Sequence, residues 1–270
     1  MIFRLTAREI AVRPKPSPHK LKKSTTFPHQ SSCFPLEKTR KEFTDMLLEL
    51  AVFHPESIDI ARRCGVDRIE LCTDYAAGGL SPDPDFFAYA RRRFEGPIMV
   101  MIRPRPGNFE YHSDEISSMV AAIRRFGQAG ADGFVLGCLK DKSVDFPALE
   151  MLIHAAGEKP LTFHRAIDEV INPEEGMRQL ISAGCRRVLT TGKATTAAEG
   201  AQSLARLIEQ FGQDISILAG GGIRHKNLPA LLGIPGLNEI HTAAIQSPSK
   251  PVTDEEEIIA ILELLKKRSA

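Results

Sequence analysis

The sequence has few cysteines, and no two of them have the short spacing of a metal-binding or redox motif. Five cysteines stand at positions 33, 64, 72, 138 and 185. Their number is odd and no two form a C-x-x-C pair, so the sequence indicates neither a disulfide framework nor a structural zinc site. We therefore expect a reducing, cytoplasmic compartment.

Long apolar runs and a strong net charge are also missing. No run approaches the length of a membrane span, and no signal-peptide core is visible. The 35 Lys and Arg nearly balance the 34 Asp and Glu, which leaves a net charge of +1. Nothing in this balance favours a nucleic acid or a membrane surface as partner. We expect a soluble protein that binds a small molecule or a metal ion.

The neutral total conceals a basic first segment. Residues 1–45 contain ten Lys and Arg against four Asp and Glu, and they include a Pro-, Ser- and Lys-rich stretch without apolar periodicity. Such a composition buries too little apolar surface to offset the entropy of ordering, so we predict a disordered extension. A targeting segment and an upstream translation start before Met46 are the alternatives. The folded domain is predicted over 46–270.

From Met46 onward, short runs rich in branched residues alternate with segments of helical period. Eight such units in succession favour a single closed (β/α)8 barrel, or TIM barrel, over an open doubly wound sheet. No G-x-G-x-x-G loop follows the first strand, as a dinucleotide-binding sheet would require. The predicted strands are Leu48–Phe53, Asp67–Cys72, Pro97–Arg103, Gly133–Gly137, Leu161–His164, Arg187–Thr190, Ile215–Ala219 and Glu239–Thr242. Among the helices we predict Ser113–Gln128, Thr195–Phe211 and Glu255–Lys267.

The ends of these strands are unusually polar, and in a barrel the active site forms at the carboxyl ends of the strands. Side chains alternate along a strand, so Ile69 and Leu71 should face the helices while Glu70 and Cys72 face the interior. The same alternation points further residues inward: Glu49, Met101, Arg103, His164, Glu239 and His241. An ion-pair network that merely fills the barrel is the alternative explanation for any one of them.

Glycines and arginines at the same end predict an anion site. Gly220, Gly221 and Gly222 follow the seventh strand and would let backbone N–H groups approach an anion, although they could also form a simple tight turn. Arg103 and Arg105 stand on a proline-rich loop where guanidinium groups could bind an oxyanion, and Arg105 could instead be solvated.

The fifth predicted strand ends in an imidazole, a guanidinium and a carboxylate. His164 could act as a general base or a metal ligand, with Asp168 or Glu70 orienting it. Arg165 would join the anion site. Glu70, His164 and Asp168 are therefore the candidate catalytic residues.

Several segments, in this order, resemble the CutC family, which has been linked to copper homeostasis. The matching stretches are GVDRIELC (65–72), GGLSPD (78–83), VMIRPRPGNFEY (100–111), GADGFVLG (130–137), TFHRAID (162–168), RVLTTG (187–192) and AGGGI (219–223). The resemblance covers residues 46–246 and implies a TIM barrel, a homodimer, a cytoplasmic location and a link to copper, but no established reaction. Carried over by position, the family's rim residues are Glu49, Glu70, Cys72, Arg103, His164, Arg165 and His241.

The chain departs from the family pattern at two places. Ala51 stands where the family has a cysteine in the first strand, and Thr242 to Ile245 replace a segment that usually contains a serine and an arginine. A role in copper handling remains one hypothesis, with Cu(I) bound by soft ligands such as Cys72 and Met101, helped by His164 and His241. The alternative is a barrel enzyme or binding protein that acts on a small anionic metabolite, such as a phosphorylated one. A barrel with a purely structural role is a third possibility.

Overall fold

The computed structural model describes residues 46–268. The predicted extension over 1–45 lies outside the described residues. Among the described residues, no helix is both long and apolar enough to cross a membrane.

Eight parallel strands close into a barrel, as the sequence predicts. They follow one another around the barrel in chain order, and the last pairs with the first. The barrel strands are β1 (Leu47–Val52), β2 (Arg68–Leu71), β3 (Ile98–Met101), β4 (Gly133–Leu136), β7 (Leu161–Phe163), β8 (Arg187–Thr190), β9 (Ser216–Gly220) and β10 (Glu239–Thr242). Two small hairpins outside the barrel are formed by β5 (Leu139–Lys140) with β6 (Ser143–Val144), and by β11 (Ile245–Ser247) with β12 (Lys250–Thr253). The eight predicted strands are confirmed.

Helices separate the strands and surround the barrel. They are α1 (Pro55–Cys64), α2 (Pro84–Arg93), α3 (Ser113–Gln128), α4 (Phe146–Ala156), α5 (Pro173–Ala183), α6 (Ala201–Phe211), α7 (Pro229–Leu232) and α8 (Glu255–Arg268), with a 3-10 helix at Arg165–Glu169. Prolines begin several of them, behind side chains that accept a backbone N–H: Asp83 caps α2, Asp145 caps α4 and Asn172 caps α5. Gly65 and Gly184 end α1 and α5 in the left-handed conformation and lead into the next strand.

Two of the three predicted helices differ from the prediction at one end: α8 extends one residue further, to Arg268, and α6 starts later. Helix α3 has the predicted bounds, and the amide of His112 before it donates a hydrogen bond to Glu115 Oε2 (2.8 Å). Helix α6 begins at Ala201 and not at Thr195. The amide of Ala197 donates a hydrogen bond to the carbonyl of Gly221, so residues 195–200 form turns against the barrel mouth before the helix starts.

The core has an outer and an inner part, as the alternation predicts. Ile69 and Leu71 are fully buried in the large apolar layer between strands and helices. Cys72 belongs instead to a small apolar cluster inside the barrel, with Met99, Met101 and Val135.

A buried ion network fills the remaining interior. Arg68 pairs with both Glu49 and Glu239, and Arg187 pairs with Glu239 from the other side. Burial alone would raise the pKa of Glu49, but hydrogen bonds from His241 and Arg68 and their positive charges lower it to about 2. Glu49 and Glu239 therefore belong to a buried ion-pair network that fills the barrel, which was the alternative to a role in ligand binding.

Candidate functional site

A cavity of about 260 Å³ opens at the carboxyl ends of the barrel strands. Six carboxyl, guanidinium and imidazole side chains line it: Glu70, Arg103, His164, Arg165, Arg224 and His241. Aromatic and apolar side chains, among them Phe53, Tyr75, Met101, Phe109 and Leu189, form much of the rest of the wall. A mostly apolar pocket with a few convergent polar groups is typical of a small-molecule site.

Arg103 contributes a buried positive charge to this cavity. Its Nη1 donates hydrogen bonds to the carbonyls of Ala77 (2.7 Å) and Gly79 (3.1 Å), and its Nη2 donates to the carbonyl of Gly107 (2.9 Å). Its guanidinium lies over the ring of Phe109 at 4.9 Å. Within residues 46–268, Nε has no hydrogen-bond partner and no carboxylate pairs with the guanidinium. A buried cation without a counter-charge is costly, and a bound anion would remove that cost.

His164 faces the same part of the cavity as a neutral imidazole. Its Nδ1 accepts a hydrogen bond from the amide of Ala166 at 3.2 Å, so the ring proton lies on Nε2. Burial, together with the positive charge of Arg103, lowers the pKa of His164 to about 3. Nε2 has no partner among the described residues. The geometry therefore makes His164 a hydrogen-bond donor at neutral pH, and the Ala166 amide orients it in place of Asp168 or Glu70.

Glu70, His241 and Glu49 form a chain of carboxylate, imidazole and carboxylate. His241 Nδ1 lies 2.8 Å from Glu49 Oε1, and its Nε2 lies 3.7 Å from Glu70 Oε2. Burial lowers the pKa of His241, but the two carboxylates outweigh burial and raise it above its usual value. Glu70 Oε1 has no hydrogen-bond partner in the described part of the chain.

The electrostatics make Glu70 a candidate acid or base. Burial raises the pKa of Glu70 to about 7, with His241 opposing that rise and Glu49 adding to it. A carboxyl group with a pKa near neutrality can both accept and donate a proton under physiological conditions. His241 lies behind it, with its Nε2 3.7 Å from Glu70 Oε2.

Asp168 does not line the cavity, although the sequence analysis made it a candidate catalytic residue. Its carboxylate accepts hydrogen bonds from the side chains of Thr190 and Thr191, the amides of Thr191 and Lys193, and Nε of Arg165 (3.2 Å). These partners occupy both oxygens. Asp168 therefore holds the loop after β8 and fixes the guanidinium of Arg165, which does line the cavity.

The three predicted anion-binding glycines take different positions. Gly221 and Gly222 line the cavity in the left-handed region, at φ +109° and +69°. Gly220 ends β9, where a Cβ atom would lie 2.5 Å from Leu189, and its contribution is close packing. The helix that follows, α7, starts only at Pro229, so no helix N-terminus adjoins these glycines.

Arg105 also lies away from the cavity lining. Its guanidinium donates hydrogen bonds to Glu115 and Asn108 and to the carbonyl of Glu110. These bonds tie the loop over 104–111 to α3. The geometry gives Arg105 a role in shaping the loop that carries Phe109.

Arg224 lines the cavity, and the sequence analysis did not select it. Its Nη1 donates to the carbonyl of Ile223 (2.8 Å) and to Thr242 Oγ1 (3.3 Å), and its Nη2 donates to the carbonyl of Ile245 (2.8 Å). These partners are carbonyl and hydroxyl oxygens, and no carboxylate in the described part of the chain pairs with Arg224. Its place two residues after Gly222 is the sequence signal that could have identified it.

The two sulfur side chains proposed as copper ligands, Cys72 and Met101, both line the cavity. Burial and the neighbouring carboxylate of Glu70 raise the pKa of the Cys72 thiol well above its usual value, so the thiol is neutral. Within 46–268, no group of three or more His, Cys, Asp and Glu side chains is arranged to hold a metal ion.

Comparison with known proteins places the same features in one family. The model of the CutC family matches residues 46–246. The CutC family protein of Vibrio cholerae is 41% identical over 200 residues, which cover 73% of this chain and 79% of the relative. That of Xanthomonas campestris is 38% identical over 217 residues, covering 77% of this chain and 90% of the relative. A crystal structure of CutC from Streptococcus agalactiae, provisionally named a copper homeostasis protein, aligns with a TM-score of 0.67 at 29% identity over 73% of this chain and 98% of that one.

Proposed function

The chain belongs to the CutC family, and we propose that its barrel mouth binds a small organic anion through Arg103 and exchanges a proton with that anion through Glu70. The cavity has the size of a small metabolite and lies where barrel enzymes bind their substrates.

The observation that carries this proposal is the buried guanidinium of Arg103, which is held in place by backbone carbonyls and balanced by no carboxylate among residues 46–268. Structural arginines inside this barrel are paired: Arg68 contacts two glutamates. An arginine that is fixed, buried and unpaired suits recognition of a carboxylate or phosphate.

The neighbouring groups suit a proton transfer next to that anion. Glu70 has a pKa of about 7, and its buried Oε1 has no hydrogen-bond partner among residues 46–268. The N–H of neutral His164 can donate to an oxygen on which negative charge develops, as an oxyanion-stabilising group does. The reaction class that these roles favour is removal or addition of a proton at a carbon or hydroxyl beside a carbonyl or carboxylate.

A thermal-shift screen of the full chain against small carboxylates and phosphate esters tests the binding step. A ligand at a hundred times its Kd stabilises the native state by about 2.7 kcal/mol, which raises the Tm by several degrees. We expect such a rise with at least one anion class, and we expect Arg103→Lys to remove it. Arg178→Lys is the control, because Arg178 is an exposed arginine of α5 that does not line the cavity. No rise with any anion, or an equal rise in Arg103→Lys, would contradict the proposal.

Copper binding is the other function that the family name suggests, and the residues of the cavity do not fit it. Cu(I) favours thiolate, thioether and free imidazole ligands. Cys72 is a neutral thiol beside a carboxyl group, and both nitrogens of His241 face carboxylates. Ala51, which also lines the cavity, stands where the resemblance implies a further thiol. If Cu(I) were nevertheless the ligand, it would stabilise the protein in the same screen, and Cys72→Ser would remove that effect.

The resemblance also implies a homodimer and a cytoplasmic location, and we retain both as proposals. The described cysteines, at positions 64, 72, 138 and 185, are all free thiols, in keeping with a reducing compartment. Light scattering of the purified chain tests the dimer, because a dimer has twice the molar mass of one chain.

A further inference from the structure

We propose that the ligand carries two anionic groups, one bound by Arg103 and the other bound on the opposite side of the mouth by Arg165 and Arg224. This inference rests on the proposed function, since it assumes that the cavity binds an anion. It names the chemical class of that anion: a short dicarboxylate or a phosphorylated carboxylate.

The two positive regions lie across the barrel from each other. Arg103 follows β3, and Arg224 follows β9. Arg165 follows β7, midway between these two strands, but its guanidinium reaches the backbone of Gly221 after β9. In the closed order of strands, β3 and β9 are four strands apart in either direction, which is the largest separation that eight strands allow. A single carboxylate bound to one side would leave the other guanidinium without a partner.

The second region has donors that are free to bind. Nε of Arg165 is held by Asp168, while its two terminal nitrogens donate to no group within residues 46–268. A Cβ atom on Gly221 would lie 3.5 Å from Arg165 Cζ and Nη1, so the guanidinium packs directly against the glycine backbone. In such barrels, phosphate is often bound by the loops after the seventh and eighth barrel strands, which are β9 and β10 here.

The charges of the cavity wall are unbalanced by two. Asp168 offsets Arg165, and Glu70 faces His241, whose Nε2 lies 3.7 Å from Glu70 Oε2. Below the cavity, the pair of Glu49 and Glu239 is matched by Arg68 and Arg187. Arg103 and Arg224 remain without a carboxylate among the described residues. Two uncompensated guanidinium groups in one small cavity call for two negative charges on the ligand.

The groups between the two regions indicate what joins the anions. Glu70 Oε1, an acceptor, and His164 Nε2, a donor, both lack a partner in residues 46–268 and belong to residues of the cavity wall. A ligand with a hydroxyl or carbonyl group between its two anionic ends would match both. The ligand class is therefore a short hydroxy or oxo acid with a second anionic group.

Calorimetric titration of the full chain with matched probes tests this inference. The first set is 3-phosphoglycerate, which has both anions, with glycerate and glycerol 3-phosphate, which have one each. The second set is succinate with butyrate. We expect the two-anion probe of at least one set to bind at least tenfold more tightly than its one-anion counterparts. Arg224→Met and Arg165→Met should each reduce that probe to the affinity of a single anion while leaving glycerate binding unchanged.

Arg178→Met, which removes an exposed arginine of α5, is the control and should bind as the wild type does. Arg165→Met guards against a folding defect in Arg224→Met, because the Arg165 side chain is 46% exposed. If one-anion and two-anion probes bind equally and only Arg103→Lys weakens them, the two-anion inference is wrong and the proposed function stands. If no probe binds and the anion screen is also negative, the proposed function fails.

Discussion

Replacement of Glu70 by glutamine should change how the stability of the protein depends on pH. Burial raises the pKa of Glu70 from 4.5 to about 7 in the folded protein. The folded state therefore holds a proton that the unfolded chain releases. Stability from this group is fully present below pH 4.5 and is lost as the pH rises through about 7.

The size of the effect follows from the shift. One pKa unit corresponds to about 1.36 kcal/mol, so wild type should lose on the order of 3 kcal/mol above pH 7 that Glu70→Gln does not lose. Relative to wild type, Glu70→Gln should thus gain roughly 2 to 3 kcal/mol of unfolding free energy between pH 5 and pH 8.

Urea denaturation of wild type and variant at half-unit pH steps measures this difference directly. Glu158→Gln, which removes an exposed carboxyl group, is the control for a general charge effect. A stability difference between Glu70→Gln and wild type that stays constant from pH 5 to pH 8 would refute the assigned shift, and with it the role of Glu70 as an acid or base near neutral pH.

Three further predictions concern the His164 imidazole, the glycine packed against it and the buried ion network around Arg68. NMR of the His164 imidazole should show the Nε2–H tautomer and no protonation above pH 4, because its pKa is about 3; a midpoint near 6.5 would contradict this. Gly137→Ala should destabilise the protein by about 1 to 3 kcal/mol in urea, because the new Cβ would lie 2.4 Å from His164 Cε1. Gly233→Ala, with no atom within 4 Å of its Cβ, should not. Arg68→Met should cost on the order of 3 kcal/mol, because it removes the cation that Glu49 and Glu239 share and leaves each buried carboxylate with one partner, His241 or Arg187; an effect as small as that of the exposed Arg178→Met would be evidence against the network.

The sequence was sufficient to predict the barrel and the inward set of strand residues. Parallel strands of a barrel have a strict two-residue alternation, and the helices around them have their own apolar period, so both patterns can be read directly. Strands β8 and β10 have the predicted bounds. Because side chains alternate along a strand, Arg68, two residues before Glu70, also points into the barrel. There it pairs with Glu49 and Glu239.

The loops were less predictable, because their side chains are placed by contacts distant in the sequence. Arg105 bonds to Glu115, and Asp168 binds the loop after β8, so neither lines the cavity. Arg224 enters the site because the turns after β9 fold it against Thr242 and the carbonyl of Ile245. No local pattern specifies such contacts, which explains why the sequence analysis misplaced Arg105 and Asp168 and missed Arg224.

The most direct test of the central claim observes Arg103 itself while an anion is added. In an NMR titration of the full chain with 3-phosphoglycerate and with succinate, the Arg103 Nε–H resonance should shift and saturate, because this nitrogen has no hydrogen-bond partner among residues 46–268 in the free protein. An Arg103 resonance that remains unchanged while either anion stabilises the protein would contradict the account.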